Sequence, residues 1–164
     1  MYSVPMNTDE YLFDIRRNMQ INKKSDHALR AMIYVAAWPN NKKCSINEIA
    51  EAENIPREFM AKILSELSQK RLLRSFIGAF GGYKLAKPRK DITFLDIVES
   101  MQGKIAVNGC ISGSKVTRCR GKRRCAMHSF WTDEQDRIVK SLSSVNLASF
   151  NYGKFYTFAK KKMK

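Results

Sequence analysis

Nineteen residues, Cys110 to His128, carry the residue types best suited to chemistry in this chain. They read Cys110-x8-Cys119-x5-Cys125-x2-His128 and hold three of the four cysteines. Thiolate and imidazole are the ligands that zinc and iron–sulfur clusters take. Arg118, Arg120, Lys122, Arg123 and Arg124 crowd the middle of the stretch, where their charge helps neutralise an anionic metal–thiolate centre. Gly109, Gly113 and Gly121 mark an irregular loop that can wrap a metal without fitting helix or strand geometry.

The elements that position this loop must come from the other residues, whose composition narrows the choice. At 164 residues the chain can build one real core. Thirty Lys and Arg against 15 Asp and Glu give a net charge of +15, which points to a polyanion, most simply nucleic acid, ahead of an anionic membrane surface. The longest apolar run, Ala31 to Trp38, is far too short to cross a bilayer, and Asp9, Glu10 and Asp14 interrupt any secretory signal. A cytoplasmic location is therefore expected, where thiols stay reduced and serve as metal ligands or redox sensors.

Residues 1–18 read as an N-terminal extension, with Thr8 capping a short amphipathic helix and Met19 a second candidate start. From Ser25, taken as an N-cap, Ala28, Leu29, Met32, Ile33, Val35 and Ala36 predict a buried helix that stops at Trp38-Pro39. Ser45 and Glu48 form a capping box that opens a short helix over about 46–53. Asn54-Ile55-Pro56 breaks it, and a second helix over about 57–70 turns Phe59, Met60, Ile63, Leu64 and Leu67 inward. This is a helix-turn-helix pattern, in which the second helix enters the major groove. Leu72–Ile77, a turn over 78–82 and Tyr83–Ala86 then predict a hairpin wing.

Thr93 and Asp96 cap another helix that Gly103 ends. Phe130, Trp131, Ile138, Val139, Leu142 and Val145 mark a long amphipathic helix over 129–150 that needs a partner, most simply its own copy. Residues 151–164, with Lys160, Lys161, Lys162 and Lys164, read as a frayed basic tail. The fold class is thus mainly α with a small β-hairpin wing. A winged helix-turn-helix head spans 19–103, a cysteine-rich loop 104–128, and a C-terminal dimerisation helix follows.

Candidate DNA contacts follow from these placements. Arg57, Glu58, Phe59 and Lys62 lie early on the recognition helix, where side chains reach base edges. Lys70, Arg71, Arg74 and Lys84 suit phosphates, while Gly78 and Gly81 let the wing backbone approach closely. Cys44 precedes the capping serine and reads as structural. With no nucleotide-binding glycine fingerprint and no nucleophile motif, an enzyme is the poorest reading.

From Met19 to about Phe150 the chain resembles the Rrf-two family of bacterial winged-helix regulators, which includes the IscR-like and NsrR-like iron–sulfur sensors. The resemblance rests on residues 25–32, 45–50, Gly81-Gly82-Tyr83-Lys84-Leu85-Ala86, residues 92–98, and the three cysteines before His128 and Trp131. It implies a homodimer with crossed long helices and a cluster held by Cys110, Cys119 and Cys125. IscR-like members complete a 2Fe–2S site with a histidine three residues after the last cysteine, where His128 stands. NsrR-like members complete a 4Fe–4S site with an aspartate early in the first helix of the other subunit, where Asp26 stands. The family's wing commonly carries an arginine before its first glycine; this chain has Ile77 there.

The resulting expectation is a homodimeric DNA-binding transcriptional regulator, a repressor on a near-palindromic operator. Its activity would be set by an iron–sulfur cluster, 2Fe–2S ahead of 4Fe–4S, responding to redox, nitric oxide or cluster status. A structural zinc site and a cluster-free cysteine switch are the alternatives.

Overall fold

Lys23–Ala37 form helix α1, around which the larger part of the molecule is built. The computed structural model describes residues 21–39, 42–78, 80–111, 125–156 and 158, so the N-terminal extension and most of the cysteine loop lie outside the described residues. The described residues group into two units: one holds Ile21–Gly103 and the chain from Ser141 onward, the other Lys104–Lys140.

Helix α1 buries Ala28, Leu29, Ala31, Met32 and every residue from Tyr34 to Ala37, so its C-terminal half is enclosed on nearly all sides. Ile33, expected among them, is only half-buried. Asn22, not Ser25, caps the helix: its side chain accepts from Ser25 N at 2.8 Å. Ser25 lies three residues further on and fully buried, and its hydroxyl donates to Gln102 Oε1 at 2.8 Å. A buried hydroxyl needs such a partner, which is why the serine serves tertiary structure rather than the cap.

Helix α2 (Ile46–Ala52) opens on the expected capping box: Ser45 Oγ accepts from Glu48 N at 3.2 Å and Glu48 accepts from Ser45 N at 2.7 Å. It closes on Asn54, at φ 52°, with Asn54 N donating to Glu51 O and Ile55 N to Ala50 O at 2.9 Å. This pair of bonds is a Schellman motif, and its buried Ile55 fixes the turn of the helix-turn-helix. Pro56 stands just ahead of helix α3 (Arg57–Gln69), whose buried stripe is Met60, Ile63, Leu64 and Leu67. Phe59, expected inward, is instead 36% exposed and lies edge-on to the His27 ring at 5.6 Å.

The wing is an antiparallel pair, β1 (Leu73–Phe76), shorter than the expected Leu72–Ile77, and β2 (Gly82–Leu85), of the expected length but one residue earlier than Tyr83–Ala86. Leu73 opposes Leu85 and both are buried; Arg74 opposes Lys84 on the other face. Cys44 adds one further rung, exchanging backbone bonds with Tyr83 at 2.9 and 2.8 Å. Gly82 (φ 148°) rests against that rung, where a Cβ would meet the Cys44 carbonyl at 2.6 Å, so no other residue fits there without movement.

Helix α4 (Phe94–Gln102) carries the expected Thr93–Asp96 box and buries Ile97, Val98 and Met101. Helix α5 spans Ala126–Ser144 and buries none of its residues in the single chain. It ends short of the expected 150. Residues beyond it rejoin the larger unit: Phe94 N donates to Val145 O at 2.9 Å, Leu147 N donates to Ile92 O at 3.0 Å, and Leu147 is completely buried.

The tail does not fray where it is described. Tyr152 is buried and its hydroxyl donates to the Leu147 carbonyl. Tyr156 donates to Glu53 at 2.8 Å, and Phe158 stacks on Trp38 at 3.9 Å. The lysines suggested a loose end, but the aromatic residues spaced among them supply enough apolar surface to dock it. Lys160–Lys162 and Lys164 lie outside the described residues. The observed architecture is the expected one, mainly α with a hairpin wing.

Candidate DNA interface and metal-ligand loop

The first two turns of α3 present Arg57, Glu58, Phe59 and Lys62 outward. Arg57 Nε donates to Asn47 Oδ1 of α2 at 2.8 Å, which orients the guanidinium before any ligand arrives. A planar, pre-oriented fork suits the paired acceptors of guanine. Asn47 was missed in the sequence; an exposed amide in the first turn of α2 was its only signal. Glu58 sits in the first turn of α3, favoured by the helix dipole. Phe59 keeps an exposed edge while His27 holds its ring in place.

Around this face lie cations without carboxylate partners among the described residues. Arg74 and Lys84 oppose each other across the wing, Lys87 follows β2, and Lys70 and Arg71 close α3. By contrast Lys24 pairs with Glu66 at 2.6 Å, Arg30 with Asp26 at 3.0 Å and Lys42 with Glu48 at 2.9 Å. Arg74, Lys84, Lys87 and Arg89 line a cavity of about 520 Å³ beside Trp38 and Phe76. No acidic residue lines it, so its potential is positive. Of the wing glycines, Gly81 leaves no room for a Cβ, which would meet the Phe76 carbonyl, while Gly78 faces open space but holds φ 110°, a conformation that favours glycine.

Arg71 is unusual. It holds φ 59° at the end of α3, with Arg71 N donating to Ser68 O at 3.0 Å and Leu72 N to Leu67 O at 2.9 Å. This is a second Schellman motif, with arginine where glycine is normal. The left-handed conformation costs a side chain about 1–2 kcal/mol. Arg71→Gly is therefore expected to raise stability by about 0.5–1 kcal/mol, after the glycine's own unfolded-state entropy is subtracted, in urea unfolding. The same change should weaken DNA binding measured by fluorescence anisotropy. Unchanged affinity would remove Arg71 from the phosphate contacts.

In the smaller unit Cys110 occupies a 3-10 turn, Gly109–Ile111, half-exposed, with its N–H donating to Asn108 Oδ1 at 3.3 Å. The approach to it is held by Gln135 of α5, whose Nε2 donates to Ile105 O at 2.6 Å and whose Oε1 accepts from Val107 N at 3.0 Å. This two-point clamp was not legible beforehand. Cys125, exposed, immediately precedes α5, and its carbonyl accepts from His128 N at 3.1 Å. The structure thus brings two of the expected donors to one helix end.

Thr132 donates its hydroxyl proton to His128 O at 2.8 Å, and its oxygen lies 3.4 Å from His128 Nδ1. Cys119 lies outside the described residues, and among the described residues no group of three or more His, Cys, Asp and Glu is assembled for a metal.

Asp26, the alternative ligand, forms an exposed ion pair with Arg30 in α1, an interaction of the order of 0.5 kcal/mol that a stronger ligand could displace. Cys44 is wholly buried, and burial pushes its thiol up to about 12, which makes it unreactive at neutral pH. Among the described residues no helix is long and apolar enough to cross a membrane.

Comparison with known proteins agrees with this arrangement. The chain is 28% identical over 129 residues to the HTH-type transcriptional regulator IscR of Photorhabdus laumondii, covering 79% of this chain and 77% of that one. Among solved structures it resembles CymR, the global cysteine regulator of B. subtilis, with a TM-score of 0.66 and 25% identity over 79% of this chain and 94% of that one. IscR of T. potens shares the fold with a TM-score of 0.63 at 21% identity, over 89% and 93% of the two chains. These relatives are transcriptional regulators and not enzymes. The sequence profile named Rrf2, iron-dependent transcriptional regulator, matches residues 21–151, and the chain belongs to that family of winged-helix regulators.

Proposed function

We propose that this regulator works as a homodimer on a near-palindromic operator, with DNA affinity governed by an iron–sulfur cluster at the cysteine loop. Cys110, Cys119 and Cys125 would hold the cluster. His128 is favoured as fourth ligand, Asp26 of the other subunit being the alternative. The observation that carries the reading is the placement of Cys125 and His128 at one end of α5, with Cys125 O accepting from His128 N at 3.1 Å. A bound cluster supplies a centre whose charge and lability change with redox state or nitric oxide. The protein's own part is to hold the loop: Gln135 fixes the arm that leads to Cys110, His128 sits in the first turn of α5 and Cys125 immediately before it. Loss of the cluster would shift the DNA-competent population by no more than its preference between the two conformations.

Anaerobic purification with a visible spectrum and an iron and sulfide assay tests this directly. The wild type is expected to be brown, and Cys119→Ala to lose the visible bands while keeping its helical circular dichroism. A full spectrum in that variant would strike Cys119 from the ligands. Colourless protein containing zinc would favour a structural site instead.

The likeness to CymR, together with the exposed Cys125 and half-exposed Cys110, supports a second reading, a cluster-free thiol switch. Thiol titration of metal-free protein before and after peroxide distinguishes it, because the buried Cys44 stays silent and any loss reports the loop.

A further inference from the structure

The wing tip holds two large apolar side chains in full view of solvent. Ile77 is completely exposed and Phe80 is 89% exposed, while the neighbouring Phe76 is partly exposed on the outer face of the sheet. A loose tip could fold such residues away; this one is braced at several points. Gly81 N donates to the Gly78 carbonyl at 2.8 Å, closing a four-residue turn. Lys43, from the segment before α2, donates to the Phe80 carbonyl at 3.1 Å. Gly82 rests on Cys44, and Tyr83 is bonded to it through both backbone groups. The backbone therefore holds the apolar pair outward.

What covers that pair is indicated by the charge around it. Arg74 and Lys84 face each other directly across the strands, a like-charge pairing that destabilises a hairpin in isolation. Neither has a carboxylate partner among the described residues, and Lys43 lies over the Phe76 ring at 5.3 Å. An apolar tip with a cationic base, packed directly behind a recognition helix, fits a polyanion that has an apolar interior. Duplex DNA is such a partner. A purely apolar protein surface would leave the cations unmatched.

We infer that Ile77 and Phe80 form a wedge that enters the minor groove beside the operator half-site, partly unstacks one base step and kinks the duplex, while Arg74 and Lys84 neutralise the flanking phosphates. Inserting apolar side chains between base steps bends DNA toward the major groove by about 20–90°. Pyrimidine–purine steps yield to this most readily, so the wedge confers sequence preference at a position where the chain makes no hydrogen bond to a base. The inference rests on the DNA-binding reading of the head.

The test uses full-length protein and a duplex that the wild type selects from a random pool, labelled with a donor and an acceptor dye at its two ends. Wild-type binding is expected to shorten the end-to-end distance, and the selected sites should share a pyrimidine–purine step at a fixed offset from each half-site. Ile77→Ser with Phe80→Ser should leave thermal stability unchanged, since both side chains are exposed. The double variant should abolish the bend, erase the step preference and weaken binding about tenfold. Its salt dependence should match the wild type, because no cation has been removed.

A duplex that stays straight under wild-type protein, or a bend that survives the double substitution, overturns the wedge. So does concentration-dependent self-association of the wild type that the substitutions abolish, which would make the tip a contact between copies. Failure to bind any duplex at low salt is a different outcome: it removes the DNA-binding reading, and the wedge with it.

Discussion

Raising the salt from about 50 to about 200 mM is expected to weaken binding to duplex DNA by about a thousandfold or more. The size follows from an inventory of the head. Its described acids are largely committed inside the protein: Asp26, Glu48 and Glu66 to lysine or arginine partners, Asp96 to the cap of α4, and Glu53 to Tyr156. Lys62, Lys70, Arg71, Arg74, Lys84 and Lys87 have no such partners among the described residues, and they border the recognition helix and wing. If each head places three to five of them on phosphates, a dimer releases about six to ten counterions, and log affinity falls with a slope near −0.9 per contact. Alanine at Arg74 or Lys84 removes one contact from each head, so it should reduce the slope by about two and weaken all sequences alike. Arg57→Ala should instead cost about 1–3 kcal/mol on the selected site and much less on random duplex. A flat salt dependence in fluorescence anisotropy would rule out this face as the phosphate contact.

The parts of this interface that the sequence displayed, and the parts it hid, divide along physical lines. Capping boxes are local: serine or threonine with an acid three residues on satisfies its own backbone, so α2 and α4 begin where Ser45 and Thr93 say they should. Ser25 failed the same test because its hydroxyl is bonded to Gln102, a partner 77 residues away that no local pattern reveals. The Arg57–Asn47 bond, the Gln135 clamp and the Lys43 brace were hidden for the same reason.

Phe59 matched the helical period of its apolar neighbours yet stayed at the surface, since periodicity gives a face but not its edge. The C-terminal tail was misread because charge drew more attention than the aromatic spacing of Tyr152, Tyr156 and Phe158. In the cysteine loop the spacing put forward Cys110, Cys119, Cys125 and His128 as candidate donors, but it carried no signal of Gln135 on α5 holding the approach to Cys110.

Ile138→Glu is expected to convert the protein to a monomer and to lower operator affinity by about a hundredfold or more. Helix α5 runs for 19 residues and buries none of them in the single chain, although it carries Phe130, Trp131, Ile138, Val139 and Leu142. Met127 and Phe130 are about half exposed, and Phe130 meets the Trp131 ring edge at 5.0 Å, so the apolar surface at the start of the helix is continuous. A helix this long and amphipathic is stabilised mainly by packing of its apolar face, and in the single chain that packing is incomplete, with Trp131, Ile138, Val139 and Leu142 only half-buried. In the proposed homodimer a second copy would supply it through a twofold interface of like residues.

Placing a carboxylate at position 138 would put two like charges into the proposed apolar interface, at a cost that a modest helix pair cannot absorb. Each head would then bind its half-site alone, without the millimolar effective concentration that a linked partner provides. Sedimentation equilibrium should give one chain's mass for the variant and two for the wild type, while affinity for a single half-site stays unchanged. That last comparison separates lost pairing from lost folding: a variant that binds neither the half-site nor the full operator has damaged the head. A variant that remains dimeric shows that α5 is covered by something other than its own copy.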